Sequence, residues 1–186
     1  MPAQNTLNGI DVTALQQVLA DIGADAAKGT ATFGVRTDWL GGTHSRATTL
    51  PLSLGTRTVA RHFTIEADEP PQLLGNDEAA NPQELLLAAL NACMTVGLAA
   101  NAAARGIALD SLEIESRGTL DLRGFLALDP EVNPGYDTVH VTVRILSGAP
   151  REAVDELFAH VLKTSPNFNN FARPITVQAS LQYLQA

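Results

Sequence analysis

The residue type best suited to nucleophilic chemistry occurs once in this chain, as Cys93. It lies in a run without charged side chains between Glu84 and Arg105. On a helical wheel its face holds small and apolar residues, and no charged side chain of that helix lies within one turn to stabilise a thiolate. A lone cysteine in this setting is often a small core hydrophobe. Cys93 is therefore either packing or a nucleophile whose activating cation comes from another element.

The uncharged run over residues 85–104 has the length of a transmembrane helix. Alanine dominates it, no basic cluster flanks it, and its interruptions are Asn91, Thr95, Gly97 and Asn101. A helix buried on nearly all sides inside a protein explains this composition better than a membrane span. At about 1.5 Å per residue the helix is roughly 35 Å long, which one small domain covers with difficulty. We therefore expect a homodimer with the two long helices in its centre, and no membrane partner.

Hydrophobic periodicity predicts the elements that would position Cys93. A helix with Asp11 as N-cap is expected over residues 11–28, and a shorter amphipathic helix over 148–166. The long helix runs from about Pro82 to Arg105 and ends at Gly106. Period-two alternation predicts strands in residues 31–39, 59–66, 111–124, 137–146 and 175–184. This order predicts an α+β chain with a mostly antiparallel sheet.

Composition excludes several classes of function. Twelve basic residues against 20 acidic ones give a net charge of −8, so no nucleic-acid partner is expected. One cysteine and four histidines without ligand spacing predict no disulfide framework, no metal and no cofactor. Asp68 and Glu69, which precede two prolines, are expected to be solvated rather than acid–base partners. The single cysteine and the absence of a signal-peptide pattern at the N-terminus favour a reducing cytoplasm.

The segment NPQELLLAALNACM resembles the hallmark of the OsmC/Ohr family, the osmotically induced and organic hydroperoxide resistance proteins. In that family an asparagine-proline pair opens a long apolar helix, and the peroxide-reacting cysteine follows eleven residues after the proline. Pro82 and Cys93 have this spacing. The stretches FTIEADEPPQLLGNDEAANP and LKTSPNFNNFARPITVQASL are similar to the loop before that helix and to the second helix, proline turn and last strand. The resemblance covers residues 30–186 and leaves residues 1–29 as an N-terminal helical extension.

The resemblance implies an intertwined α+β homodimer, with two long central helices wrapped by mostly antiparallel sheets. It also implies the reduction of organic hydroperoxides. The cysteine thiolate of such proteins attacks a peroxide oxygen to give a sulfenic acid, and a second cysteine condenses with it to a disulfide. An arginine from the N-terminal strand region stabilises the thiolate and is held by a glutamate at the start of the long helix.

Three positions depart from that family pattern. Ser165 replaces the second cysteine, so an internal disulfide cannot form. Gln83 occupies the glutamate position, and the neighbouring Glu84 would lie on the face of the helix opposite to the cysteine, where it could serve only a partner's site. Arg46 is the best match for the arginine, with Arg36 second, and Arg46 is equally compatible with a solvated strand position.

Three functions stay open at this point. The first is a one-cysteine, thiol-dependent peroxidase that reduces apolar organic hydroperoxides and is recycled by an external thiol reductant. The second is a module that binds an apolar small molecule, and the third is a structural protein in which Cys93 only packs. Phe168 and Phe171, near Ser165, would line the substrate pocket in the first two cases and belong to the core in the third.

Overall fold

The computed structural model describes residues 5–185, which form ten short strands and five α-helices. The strands are β1 (Thr6–Leu7), β2 (Ile10–Asp11), β3 (Ala31–Thr32), β4 (Val35–Gly41), β5 (His44–Thr49), β6 (Leu52–Leu54), β7 (Arg57–Val59), β8 (Thr64–Ala67), β9 (Ser111–Gly118) and β10 (Val139–Leu146). The helices are α1 (Val12–Ala24), α2 (Pro82–Ala104), α3 (Leu122–Phe125), α4 (Arg151–Thr164) and α5 (Pro166–Ala172), with 3-10 turns at Ala26–Gly29 and Pro71–Leu73.

The described strands pair antiparallel in four small sheets: β1–β2, β3–β6–β7, β4–β5–β8 and β9–β10. The combination of helices with antiparallel sheets confirms the α+β prediction. The predicted alternation in β10 is also confirmed, because its valines at 139, 141 and 143 are half-buried while the residues between them are exposed.

The core of the chain lies where α2 meets α4 and the β9–β10 hairpin. Its buried members are Leu98, Ala102, Ile107, Leu157 and Val161. Helix α4 approaches α2 closely at Gly97, where an added Cβ would lie 3.1 Å from a methyl group of Val161. This close approach places α4, and with it the start of α5, against the part of α2 that carries Cys93.

The predicted limits of the long helix are confirmed. The side-chain oxygen of Asn81 accepts hydrogen bonds from the first turn, and the Glu84 carboxylate accepts one from the Asn81 backbone N–H, which completes a capping box. Gly106, with a φ of +71°, follows Arg105 at the C-terminal end, in the left-handed region that favours glycine.

Several strand and helix limits differ from the predictions. The N-terminal helix ends at Ala24, because the Asp25 side chain accepts from the backbone N–H of Ala27 and starts a separate 3-10 turn. The strand expected over residues 59–66 is interrupted at 60–63, where the chain passes from one sheet to another. The strand expected over residues 111–124 ends at Gly118, and Asp121 caps the short helix α3, so residues 122–124 are helical instead.

Helix α2 is only partly buried by its own chain, as the sequence predicts for a helix this long in one small domain. It has the length and apolar character of a membrane span, and 22% of its apolar window is buried within the chain. Val96 is 69% exposed, and Leu86 is also exposed. Core helices of soluble proteins share this length and apolar character, so these two properties alone do not identify a membrane span. One chain therefore covers only part of its long helix.

The strand predicted for residues 175–184 does not form within the described chain. Its alternating apolar side chains are exposed, including Val177, Leu181 and Tyr183. A strand needs a neighbour to take up its backbone hydrogen bonds, and none of the described strands pairs with this segment.

Candidate active site around Cys93

Two hydrogen-bond donors surround the sulfur of Cys93. The Ser165 hydroxyl lies 3.4 Å from Sγ, and the backbone nitrogen of Asn167 lies 3.5 Å from it. Ser165 is only 3% exposed, and Cys93 is half-buried. Both donors come from the turn between α4 and α5, so the sulfur faces the start of α5.

The local sequence explains this turn. Ser165 caps α5, because its hydroxyl oxygen accepts from the backbone N–H of Phe168 at 3.4 Å, and Pro166 occupies the first helical position. The serine oxygen accepts with a lone pair, so its one proton remains available for the Cys93 sulfur. The Asn167 side chain donates to the carbonyl of Ala89 at 2.8 Å and fixes α5 against α2 one turn before Cys93.

Asn167 is a site residue that the sequence reasoning missed. The motif SPNFNNF contains three asparagines, and no periodic pattern distinguishes the one that contacts α2. Its partner carbonyl lies 78 positions earlier in the chain, so the contact follows from packing alone.

Two apolar grooves flank this region. A groove of about 420 Å³ is lined by Leu86, Ala89, Asn167, Asn170, Phe171 and Ile175. A smaller one of about 220 Å³ lies between α2, α5 and the segment before β10, and its lining includes Leu90, Tyr136, Phe168 and Phe171. Of the aromatic residues singled out from the sequence, Phe168 lines the smaller groove and Phe171 lines both. Cys93 lines neither groove, and the larger one reaches it through Asn167.

The two candidate arginines lie elsewhere in the chain. Arg46 on β5 pairs with Glu66 at 2.8 Å, and Arg36 on β4 pairs with Asp38 at 3.6 Å. Arg46 and the neighbouring His44 hold the pKa of the Glu66 carboxyl below its usual value. Neither arginine is among the polar contacts of the Cys93 sulfur in the described chain.

Gln83 and Glu84 occupy the first turn of α2. The backbone N–H of Gln83 donates to the Asn81 side chain at 2.7 Å, and the Glu84 carboxylate accepts from the Asn81 backbone at 2.8 Å. Asn81 also bonds the Glu69 carboxylate through its amide group. The Glu84 side chain therefore caps the start of α2 and does not hydrogen-bond the cysteine of its own chain.

The expectation that Asp68 is solvated is wrong. Asp68 is buried, and its carboxylate accepts from the Thr43 hydroxyl at 2.6 Å and from the backbone N–H groups of Glu69, Asn76 and Glu78 at 2.9–3.2 Å. The Thr43 hydroxyl and these backbone donors lower the pKa of Asp68 to about 2. This carboxylate orders the loop that leads into α2.

The loop around Asp68 is closed further by Gly75 and by His44. A Cβ at Gly75 would lie 1.7 Å from the backbone oxygen of Glu69, so only glycine fits there. The two ring nitrogens of His44 lie 3.2 Å from Glu66 and 3.3 Å from Glu78. Within residues 5–185, no group of three or more histidine, cysteine or acidic side chains is arranged to hold a metal ion.

Comparison with known proteins identifies the class to which this fold and site belong. The family model described as OsmC-like protein matches residues 75–180, which include the capped helix, Cys93 and the Ser165 turn. Because this match spans more than half of the chain, the chain belongs to the OsmC-like family. No curated protein sequence matches it.

Solved structures share the fold at low sequence identity. An OsmC-like protein from Mycoplasma pneumoniae superposes with a TM-score of 0.60 at 17% identity, over 76% of this chain and 87% of that one. An OsmC-like protein of unknown function from Vibrio cholerae gives 0.58 at 11% identity, over 75% and 92%. An organic hydroperoxide resistance protein OsmC from Legionella pneumophila gives 0.51 at 20% identity, over 76% and 91%.

Proposed function

We propose that this protein reduces organic hydroperoxides with Cys93 as its one redox-active residue. The observation that carries this proposal is the position of the sulfur, which faces the Ser165 hydroxyl and the Asn167 backbone N–H next to an apolar groove of about 420 Å³. Both contacts come from the start of α5, where a serine hydroxyl and a backbone N–H converge on the sulfur. Family membership supports the same reading, and the similar Legionella pneumophila protein is an organic hydroperoxide resistance protein.

In the first step the Cys93 thiolate attacks the terminal oxygen of the hydroperoxide. The O–O bond breaks, Cys93 becomes a sulfenic acid, and the alkoxide leaves and takes up a proton to give the alcohol. The Ser165 and Asn167 donors stabilise the thiolate before attack. The alkyl group of the substrate lies against Leu86, Ala89 and Phe171, where its burial favours organic peroxides over hydrogen peroxide.

An external thiol completes the cycle, because Ser165 cannot form a disulfide. One thiol condenses with the sulfenic acid, which releases water and leaves a mixed disulfide on Cys93. A second thiol reduces that mixed disulfide and restores the Cys93 thiol. The need for reduced thiol fits a reducing compartment such as the cytoplasm.

The working unit in this proposal is a homodimer. The exposed side of α2, with Leu86 and Val96, and the unpaired segment over residues 175–184 leave more apolar surface open than a soluble monomer normally carries. A second copy would cover both surfaces. It would also bring its own N-terminal sheet, with Arg46 of the partner subunit, as a source of positive charge for the cysteine.

A second candidate function is the storage or sensing of an apolar small molecule without redox chemistry. It is favoured by the pairing of Arg46 with Glu66 and by the polar contacts of the Cys93 sulfur, which among residues 5–185 are the Ser165 hydroxyl and the Asn167 backbone N–H and include no basic side chain. In that case the grooves lined by Phe168 and Phe171 would hold a ligand that co-purifies with the protein.

A turnover assay distinguishes the two functions. Purified wild type and Cys93→Ser would be mixed with cumene hydroperoxide and dithiothreitol, and peroxide consumption would be followed with time. The proposal predicts repeated turnover by the wild type and none by Cys93→Ser. Absence of turnover by the wild type, together with an apolar molecule extracted from the purified protein, would favour the binding function instead.

A further inference from the structure

The N-terminal segment, residues 5–29, begins with a hairpin whose turn is an asparagine–glycine pair. Strands β1 and β2 pair antiparallel, and Asn8 and Gly9 form the two-residue loop between them. Both loop residues have positive φ, +54° for Asn8 and +76° for Gly9, as the tight hairpin turn favoured by this pair requires. Asn8 is also the only asparagine of the sequence that a glycine follows.

The Asn8 side chain binds two backbone groups that follow the long helix. Its amide nitrogen donates to the carbonyl of Ile107 at 2.9 Å, and its amide oxygen accepts from the backbone N–H of Leu109 at 2.9 Å. A carbonyl only accepts and an N–H only donates, so these two partners fix the orientation of the amide. Asn8 thus pairs with residues 107–109 much as a neighbouring strand does, and we call these two bonds the Asn8 clasp.

The Asn8 clasp joins the N-terminal segment to the core. Ile107 is buried and belongs to the same apolar cluster as Leu98 and Val161. Val12, at the start of α1, is also buried, and both β2 and α1 pack against α2. The bonds of Asn8 cross 99 and 101 positions of the chain. Loss of the clasp would therefore loosen the N-terminal segment where it meets the end of α2.

An asparagine that precedes a glycine can undergo a covalent change without any enzyme. The backbone nitrogen of the glycine, which no Cβ shields, attacks the side-chain carbonyl carbon of the asparagine. A C–N bond forms and ammonia leaves, which gives a five-membered succinimide ring. Water then opens the ring at either of its carbonyl groups and gives aspartate or isoaspartate. At Asn8 the leaving nitrogen is the one that donates to Ile107, so the reaction requires the clasp to open.

We propose that Asn8–Gly9 is a deamidation site that the closed clasp protects, and that its modification releases the N-terminal segment irreversibly. In the aspartate product a carboxylate oxygen replaces the donor nitrogen, so no proton remains to bond the Ile107 carbonyl. In the isoaspartate product the backbone gains one carbon within the loop, which removes the geometry of the two-residue turn. Neither product can rebuild the clasp. This site is separate from Cys93 and does not depend on the proposed peroxidase activity.

The rate of deamidation in the full-length wild type tests the protection. Folded protein and protein unfolded in urea would be incubated at the same mildly alkaline pH, and mass spectrometry of the peptide that contains Asn8 would follow the conversion of amide to acid. The conversion should be at least about tenfold slower in the folded protein, because it proceeds only from the open clasp. Equal rates in the two states would overturn the proposal, and this comparison requires no variant.

Hydrogen exchange at the Leu109 amide tests the release. Asn8→Asp reproduces the aspartate product and keeps a residue pair that suits the turn, so this amide should exchange about tenfold faster than in wild type. Asn5→Asp is the matched control, since it adds the same charge to the same segment and Asn5 binds Val12 through its backbone carbonyl. Unchanged exchange in Asn8→Asp would show that the segment does not depend on the Asn8 amide. Equal acceleration in both variants would indicate a general effect of charge and would also overturn the proposal.

Discussion

At the Cys93 sulfur, the replacement of the family's second cysteine by Ser165 changes the chemistry that the chain can carry out. The serine keeps a polar group 3.4 Å from Sγ but supplies a proton donor rather than a second redox centre. The same side chain caps α5, so one hydroxyl both starts that helix and contacts the sulfur proposed to react. Ser165→Ala therefore tests the hydrogen-bond donor, and Ser165→Cys tests the effect of a second thiol.

Removing the Ser165 hydroxyl should slow the reaction of Cys93 with iodoacetamide at neutral pH. Ser165→Ala deletes a donor to the thiolate, and a hydrogen bond of this kind corresponds to a fall of about three- to tenfold. Alkylation rates measured on the folded protein give the answer. Thr164→Ala is the control, because the Thr164 hydroxyl bonds the carbonyl of His160 within α4. Equal rates for wild type and Ser165→Ala would show that the hydroxyl does not act on the sulfur.

Restoring a thiol at position 165 should restore an internal disulfide. In Ser165→Cys the new sulfur would lie close to Cys93, since the present oxygen is 3.4 Å away and a disulfide needs a separation of about 2.05 Å. Treatment with one equivalent of cumene hydroperoxide should give a product that lacks two hydrogen atoms by intact mass. Thr164→Cys should not form this product. A Ser165→Cys protein in which Cys93 is oxidised to a sulfenic acid while the new thiol stays free would contradict the geometry.

At the scale of elements, the loop before α2 depends on one buried carboxylate. Asp68 links the Thr43 hydroxyl to three backbone N–H groups of the loop, and the loop leads to the Asn81 cap. The start of the long helix is thus joined to the β4–β5 turn. Glu84 stabilises the same helix start, because its carboxylate accepts from the Asn81 backbone N–H and completes the capping box.

The Asp68 network should make stability depend on pH in the acid range. The folded state lowers the pKa of Asp68 from 3.8 to about 2, so its stabilising contribution is complete above about pH 4 and is lost as the pH falls towards 2. Asp68→Asn should unfold at lower urea concentration than wild type near neutral pH. The difference between the two urea midpoints should shrink as the pH falls from about 4 towards 2. Asp77→Asn is the control, because Asp77 is exposed and asparagine tolerates its φ of +59°. A constant difference from pH 5 to pH 2 would contradict the assignment.

The sequence predicts some of these elements well and others not at all. The limits of α2 follow from local chemistry, since Asn81, Pro82 and Gly106 act within one turn of the helix ends. The contacts of Asp68 and Asn167 cross 25 and 78 positions of the chain and arise only when separate elements pack together. The alternation in residues 175–184 is present in the sequence, but none of the described strands pairs with it.

At the scale of the whole molecule, the N-terminal sheets and the C-terminal segment carry many exposed apolar side chains, while the core lies between α2, α4 and the β9–β10 hairpin. This distribution is what an intertwined dimer would leave when its two chains are separated. The proposed dimer also matters for chemistry, since no basic side chain of the described residues hydrogen-bonds the Cys93 sulfur.

A charge on the open side of α2 should therefore disrupt the dimer. Wild type should sediment with twice the chain mass of 19.6 kDa, and Val96→Asp should sediment as a monomer, because Val96 is 69% exposed in one chain and would be buried against the partner. Leu128→Asp, which changes an exposed leucine in the segment between α3 and β10, is the control. A monomeric wild type, or a dimeric Val96→Asp protein, would contradict the proposed interface.

Single-turnover oxidation shows whether Cys93 itself attacks organic hydroperoxides. Reduced protein would be mixed with cumene hydroperoxide or with hydrogen peroxide, and sulfenic acid formation at Cys93 would be followed by dimedone trapping and intact mass. We expect one oxidised cysteine per chain. The rate constant for sulfenic acid formation should be at least about tenfold higher with cumene hydroperoxide than with hydrogen peroxide, because the apolar group of cumene hydroperoxide gains from burial in the groove. A Cys93 that stays reduced with both peroxides, or that becomes oxidised only after unfolding, would show that it does not react with peroxides in the folded protein.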